Sequence, residues 1–159
     1  MTSSVQAFAT AAAAFCAWCE SPPEGDEAAE ARVGAEHLSR LYSLALALTL
    51  PAKFDDGLEG RQPSDDEWRA VFERCACLPF QYYSEVEPHV VPGEESTLGD
   101  LADDIADIHR DLAPGVDLYR SGHRTEAEWV WCHSFRIHWG SHAASALRAL
   151  HEWLRDHGW

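Results

Sequence analysis

The chain has 159 residues with 27 acidic against 12 basic side chains, a formal net charge of −15. At this length one domain covering residues 1–159 around a single core is the simplest organisation. The charge disfavours nucleic acid and anionic membrane, which bind proteins through phosphate neutralisation, and suits a basic protein partner or plain solubility.

Val5, Phe8, Ala12, Phe15 and Cys19 recur at helical spacing, predicting a first helix capped by Ser3 or Ser4 and stopped by Ser21-Pro22-Pro23. Asp26 caps a second predicted helix from about Glu27 to Leu50, with Leu38, Leu41, Tyr42, Ala45 and Leu48 as its buried stripe and Pro51 at its end. Residues 52–63 read as a polar loop. Ser64 and Glu67 form a capping-box pattern that opens a short helix through Trp68, Val71, Phe72 and Cys75. From Phe80 to Glu95, aromatics and valines suggest extended chain, while Pro88 and Pro92 oppose a central strand, so an irregular crossing is expected.

Thr97 is expected to open a fourth helix, in which Leu98, Leu101, Ile105, Ile108, Leu112, Val116 and Tyr119 keep a 3–4 spacing and Pro114-Gly115 introduces a kink. Thr125 and Glu128 suggest a capping box for a last helix running to about His157. The predicted fold is all-α: a bundle of about five helices with a long C-terminal helix at its centre.

The phrases Asp103-Asp104-Ile105-Ala106-Asp107-Ile108-His109-Arg110-Asp111-Leu112, His138-Trp139-Gly140-Ser141-His142 and Ala146-Leu147-Arg148-Ala149-Leu150-His151 resemble a bacterial family of unknown function, DUF5063. Leu38-Ser39-Arg40-Leu41-Tyr42 and Leu78-Pro79 through Tyr82-Tyr83 fit the same pattern. The likeness runs from about Phe8 to His151. It implies a compact helical domain, with no assigned activity and no catalytic residues to carry over. His109 departs from the pattern, which has a tyrosine there.

Charge and histidine are unevenly spread. Residues 1–122 hold 23 acids and 8 bases, whereas residues 123–159 hold four of each and six of the nine histidines. In that last stretch His138 and His142 stand four apart, on one helix face, where two imidazoles can share a divalent metal. A metal site needs a third ligand, and the alternative is a pair of core-boundary histidines, each hydrogen-bonded to a carboxylate of a neighbouring helix. Six histidines in a neutral segment also suggest a pH-responsive module.

Asp100, Asp104, Asp107 and Asp111 form an acidic stripe spaced 4, 3 and 4. Lying opposite Ile105 and Leu112, it is expected to face solvent and to dock a basic surface of another protein, as small acidic inhibitor and immunity proteins do. The acids of residues 24–36 and 55–67 would extend that face. The competing reading is a metal-dependent hydrolase, in which the kinked fourth helix turns Asp104, Asp107 or Asp111 toward His138 and His142. No cofactor other than such a metal is expected.

Cys16-Ala17-Trp18-Cys19 has redox spacing and Cys75-Ala76-Cys77 could add thiolates for zinc, but the first motif ends a helix instead of opening one. Buried free thiols are the expected state. The apolar run Ala7 to Trp18 lacks a basic start, the first basic residue being Arg32, and no apolar run reaches the roughly 20 residues of a membrane span. The expected location is the cytoplasm.

Overall fold

A computed structural model describes residues 4–93 and 95–158 as a helical bundle carrying one small hairpin. Its helices are α1 (Ser4–Glu20), α2 (Glu27–Ala45), α3 (Asp65–Arg74), α4 (Leu101–Arg120), α5 (Arg124–Ser134) and α6 (Gly140–His157). A 3-10 turn, Cys75–Cys77, follows α3, and a π-turn, Phe135–Trp139, joins α5 to α6. The long C-terminal helix of the sequence reading is therefore α5, π-turn and α6 in series. No helix among the described residues is long and apolar enough to cross a membrane.

Local chemistry explains most element boundaries. Asp26 accepts the Ala29 amide at the start of α2, and Ser64 and Glu67 complete a reciprocal capping box on α3. The expected capping position Ser3 lies outside the described residues. The second helix stops at Ala45, before Leu50, because the chain turns tightly at Leu46 to Leu48 and the Thr49 amide is held by Glu128 of α5. Glu128 is thus a tertiary anchor and does not close a capping box; α5 begins at Arg124 without a side-chain cap.

The crossing between α3 and α4 holds a strand pair the sequence reading lacks. β1 (Tyr82–Glu85) runs antiparallel to β2 (Thr97–Asp100), pairing Tyr83 with Gly99. Pro88 and Pro92 lie in the connecting loop, where they interrupt no ladder. Thr97 accordingly starts a strand, and Asp100 caps α4 instead, accepting from the amides of Ala102 and Asp103.

The core gathers Phe8 and Phe15 of α1, Leu38 and Leu41 of α2, Ile105 and Leu112 of α4, Trp131 of α5, Trp139 of the π-turn and Leu150 of α6. α4 packs against α1, α3, α5 and α6, so little of its circumference remains for solvent. It continues as helix through Pro114 to Arg120. The Trp131 indole donates to the Leu112 carbonyl at 3.1 Å, and Trp139 donates to the Trp131 carbonyl at 3.4 Å. Backbone oxygens satisfy these buried indoles.

Candidate functional site

A short stretch of non-α backbone sets the site. The Gly140 amide reaches back five residues to the Phe135 carbonyl, the hydrogen bond of a π-turn. A Cβ on Gly140 would lie 2.3 Å from that oxygen and 2.9 Å from the Phe135 ring, so only glycine permits the closure. The extra residue rotates the α6 face by about 100° relative to α5. Trp131 and Trp139 thereby stay in the core while His142 turns toward α4. Such turns inside α-helices recur at functional sites.

Two histidine–aspartate pairs bridge the helices. His138 Nδ1 lies 2.8 Å from Asp111 Oδ2, and His142 Nδ1 lies 2.6 Å from Asp104 Oδ1. Ionised carboxylates only accept, so each Nδ1 carries a proton, and in the neutral imidazole each Nε2 presents a lone pair. The two rings sit edge to face with centroids 4.7 Å apart. Asp107 completes the group. One candidate ligand atom from each of Asp107, His138 and His142 lies within 4.8 Å of the other two, making this the one such cluster among the described residues.

The surroundings hold these side chains in place. The Tyr83 hydroxyl of β1 donates to Asp104 Oδ2 at 2.5 Å, so Asp104 is held from two sides and is only 5% exposed. Trp68 of α3 donates its indole N–H to Asp107 Oδ1 at 2.8 Å, leaving the other carboxylate oxygen free of that bond. Arg110 lies over the Trp68 ring, its guanidinium 5.1 Å from the ring centroid.

Electrostatics reinforce the arrangement. Hydrogen bonding to Asp104 raises the His142 pKa above its ordinary value, against the opposing effect of burial, and Asp104, Asp107 and Asp103 raise it further. Burial raises the Asp111 carboxyl, despite the stabilising His138 contact. Burial also raises Asp103, helped by repulsion from Asp107, Asp100 and Asp104. Tyr83 is raised by burial and by its bond to Asp104, and so remains a proton donor.

The acidic stripe is thus not the outward face its spacing suggested. Asp100 caps α4 and accepts from Gln81 Nε2, Asp104 is buried, and Asp107 and Asp111 are half-buried against α3 and the histidines. The reason is that α4 is covered on more sides than a simple bundle helix. His138 is half-exposed, which leaves the group open on one side.

The cysteines form no comparable centre. All five are free, and none belongs to a metal-holding group among the described residues. Burial pushes the Cys16 and Cys75 thiols up to about 12, the reverse of what a reactive thiol needs.

With this geometry in place, the comparisons decide the relationship. The family DUF5063, described as a domain of unknown function, matches residues 1–156. The chain belongs to the DUF5063 family. A crystal structure of protein BF1032 from Bacteroides fragilis is similar to it, with a TM-score of 0.77 over 92% of this chain and 89% of that one at 19% identity. At that identity the likeness establishes a common fold and nothing about chemistry. No curated protein matches the sequence.

Proposed function

We propose that the chain binds one divalent transition-metal ion through Asp107, His138 and His142 and uses it to hydrolyse a substrate. The supporting observation is the convergence of two imidazoles and one carboxylate whose remaining atoms are already held by other side chains. Two nitrogens and one oxygen suit zinc, iron or manganese better than calcium or magnesium, which prefer oxygen. Three protein ligands with further positions open is the pattern of catalytic rather than structural zinc. Ligands at about 2.0–2.1 Å from a common ion are closer together than 4.8 Å, so small side-chain rotations complete the set.

Each neighbour has a role in this reading. Asp104 and Asp111 fix the tautomer and the plane of their histidines, and Tyr83 and Trp68 hold Asp104 and Asp107 in turn. A metal here would supply a bound water acidic enough to ionise near neutral pH. Asp103 is the nearby proton acceptor: its carboxylate receives no hydrogen bond among the described residues, and its raised pKa brings it toward the working range of a base.

The test is metal content of untagged protein by mass spectrometry, with thermal melts before and after a chelator. About one equivalent of metal and a lower melting temperature after chelation are expected. Equal metal uptake by the parent and by His138→Ala/His142→Ala would overturn the assignment.

Docking of a basic protein is the second reading, and a specific observation favours it: Asp55, Asp56, Glu59, Asp65 and Asp66 are all exposed. The proposed docking face then lies on the 55–67 segment, since Asp104, Asp107 and Asp111 are occupied by Tyr83, Trp68 and the two histidines. Charge reversal at Asp65 and Asp66 that leaves association with a basic protein unchanged would remove it.

A further inference from the structure

A groove of about 360 Å³ runs along α6 beside the Asp/His cluster, between that helix and the β1 strand. Its size is that of a small-molecule site. Phe80, Tyr82 and Trp153 give it aromatic walls, and Tyr83 is the partition: its ring lines the groove while its hydroxyl holds Asp104. The groove and the cluster are therefore neighbours joined by one side chain.

The charges inside the groove are unequal in their commitments. Glu85 accepts the Ser145 hydroxyl at 2.6 Å, and Glu152 pairs with Arg155. Arg148, which also lines the groove, has no hydrogen-bond or ion-pair partner among the described residues. Arg148 is exposed, and its guanidinium stands beside aromatic walls where it can take an anion from outside. Guanidinium matches a carboxylate with two parallel hydrogen bonds.

We propose that this groove is the substrate-recognition site, taking a small molecule with one carboxylate and an apolar or aromatic body, with Arg148 holding the carboxylate. The inference rests on the hydrolase reading for what happens at the other end of the molecule. A single negative charge is favoured over a phosphate dianion, because Glu85 and Glu152 also line the groove.

The test titrates 4-phenylbutyrate, its neutral amide and phenyl phosphate into the full chain, both metal-free and zinc-loaded, followed by calorimetry and by NMR shifts at Ser145 and Trp153. The acid should bind saturably in both forms, at least about tenfold more tightly than the amide, and Arg148→Gln should remove that preference while Arg148→Lys keeps part of it. Arg148 is exposed, so its replacement leaves the fold intact. Equal affinity for acid and amide, tighter binding of phenyl phosphate, an unchanged affinity in Arg148→Gln, or no binding of the acid would each overturn the proposal. Acid binding by metal-free protein stands apart from metal uptake, so failure of the groove and failure of the metal centre give different results.

Discussion

Two carboxylates are buried among the described residues, and they are partnered differently. Glu30 of α2, 3% exposed, is met by the Arg74 guanidinium at 2.7 Å, the Trp18 indole at 3.1 Å and the Glu24 amide at 2.9 Å, with Arg74 also stacked 4.4 Å over Trp18. Asp104 of α4 is met by a histidine and a tyrosine. Arginine is permanently charged, and each guanidinium nitrogen of Arg74 donates, to the Ser21 carbonyl, Cys77 Sγ and Glu30, so the first cluster is a lock. Histidine titrates near neutrality and keeps a second nitrogen, so the second cluster retains a lone pair and a proton to exchange. The difference separates a buried charge serving architecture from one equipped for chemistry, although both look alike by burial alone.

The largest expected effect breaks the lock. Arg74→Met leaves Glu30 buried without its cation and should cost about 3–5 kcal/mol in denaturant unfolding, whereas the paired change with Glu30→Met should recover most of it. A loss below about 1 kcal/mol for the single change would show that Glu30 is reached by water and is no lock at all. Next is Gly140→Ala, which sets a Cβ against the Phe135 carbonyl and should cost about 1–3 kcal/mol. It should also abolish metal uptake, because the π-turn sets the register of His138 and His142. Uptake equal to the parent's would separate the π-turn from the site.

Asp104→Asn should leave stability less affected but weaken metal binding about 10–100-fold, since the residue acts on His142 and not on the ion. An affinity change confined to His142→Ala, with none for Asp104→Asn, would deny Asp104 that positioning role. Trp68→Phe removes the indole donor to Asp107 and should cost about 1 kcal/mol, with a smaller loss of metal affinity.

Acidity should distinguish the clusters with opposite signs. Burial works to raise Glu30, but the Glu24 amide and Arg74 outweigh it and hold the carboxyl below its ordinary 4.5. Its contribution to stability is present above that value and is lost as pH falls through the depressed one. His142 is raised above 6.5, so in metal-free protein its contribution is complete below 6.5 and is lost as pH rises through the raised value. Metal must displace that proton, so loaded protein should gain stability over the same rise. Melts of chelated and zinc-loaded protein between pH 6 and 8 check this inversion; parallel curves would count against the site.

Much of this arrangement was legible before any coordinates. The 3–4 spacing of apolar residues in α1, α2 and α4 placed those helices, and Asp26 and Ser64 announced two of their starts. His138 and His142 stood out by spacing alone, and the mixed His/Asp arrangement followed as one possibility among several. What spacing misjudged was the direction of the acidic stripe. Amphipathic reasoning gives a helix one buried face, but α4 is enclosed by four others and buries Asp104 as well as Ile105. Tyr83, Trp68 and the Glu30–Arg74 pair escaped notice because their partners lie between 21 and 44 residues away in sequence. Gly140 did carry a signal, since a glycine within a strongly helical stretch disfavours plain α-helix and asks for a backbone reason.

By itself the sequence determined the helical class, the positions of most helices, the acidity and the candidate histidines, because periodicity, capping and composition act over a few residues. Only the tertiary structure decided which carboxylate meets which histidine, that β1 and β2 pair across the proline-containing loop, and that Arg148 lines a groove with Tyr83. Those outcomes depend on contacts between distant segments, where burial makes the choice of partner costly to get wrong. The same aspartate is a solvated charge on an isolated helix and a histidine's anchor once four helices close around it.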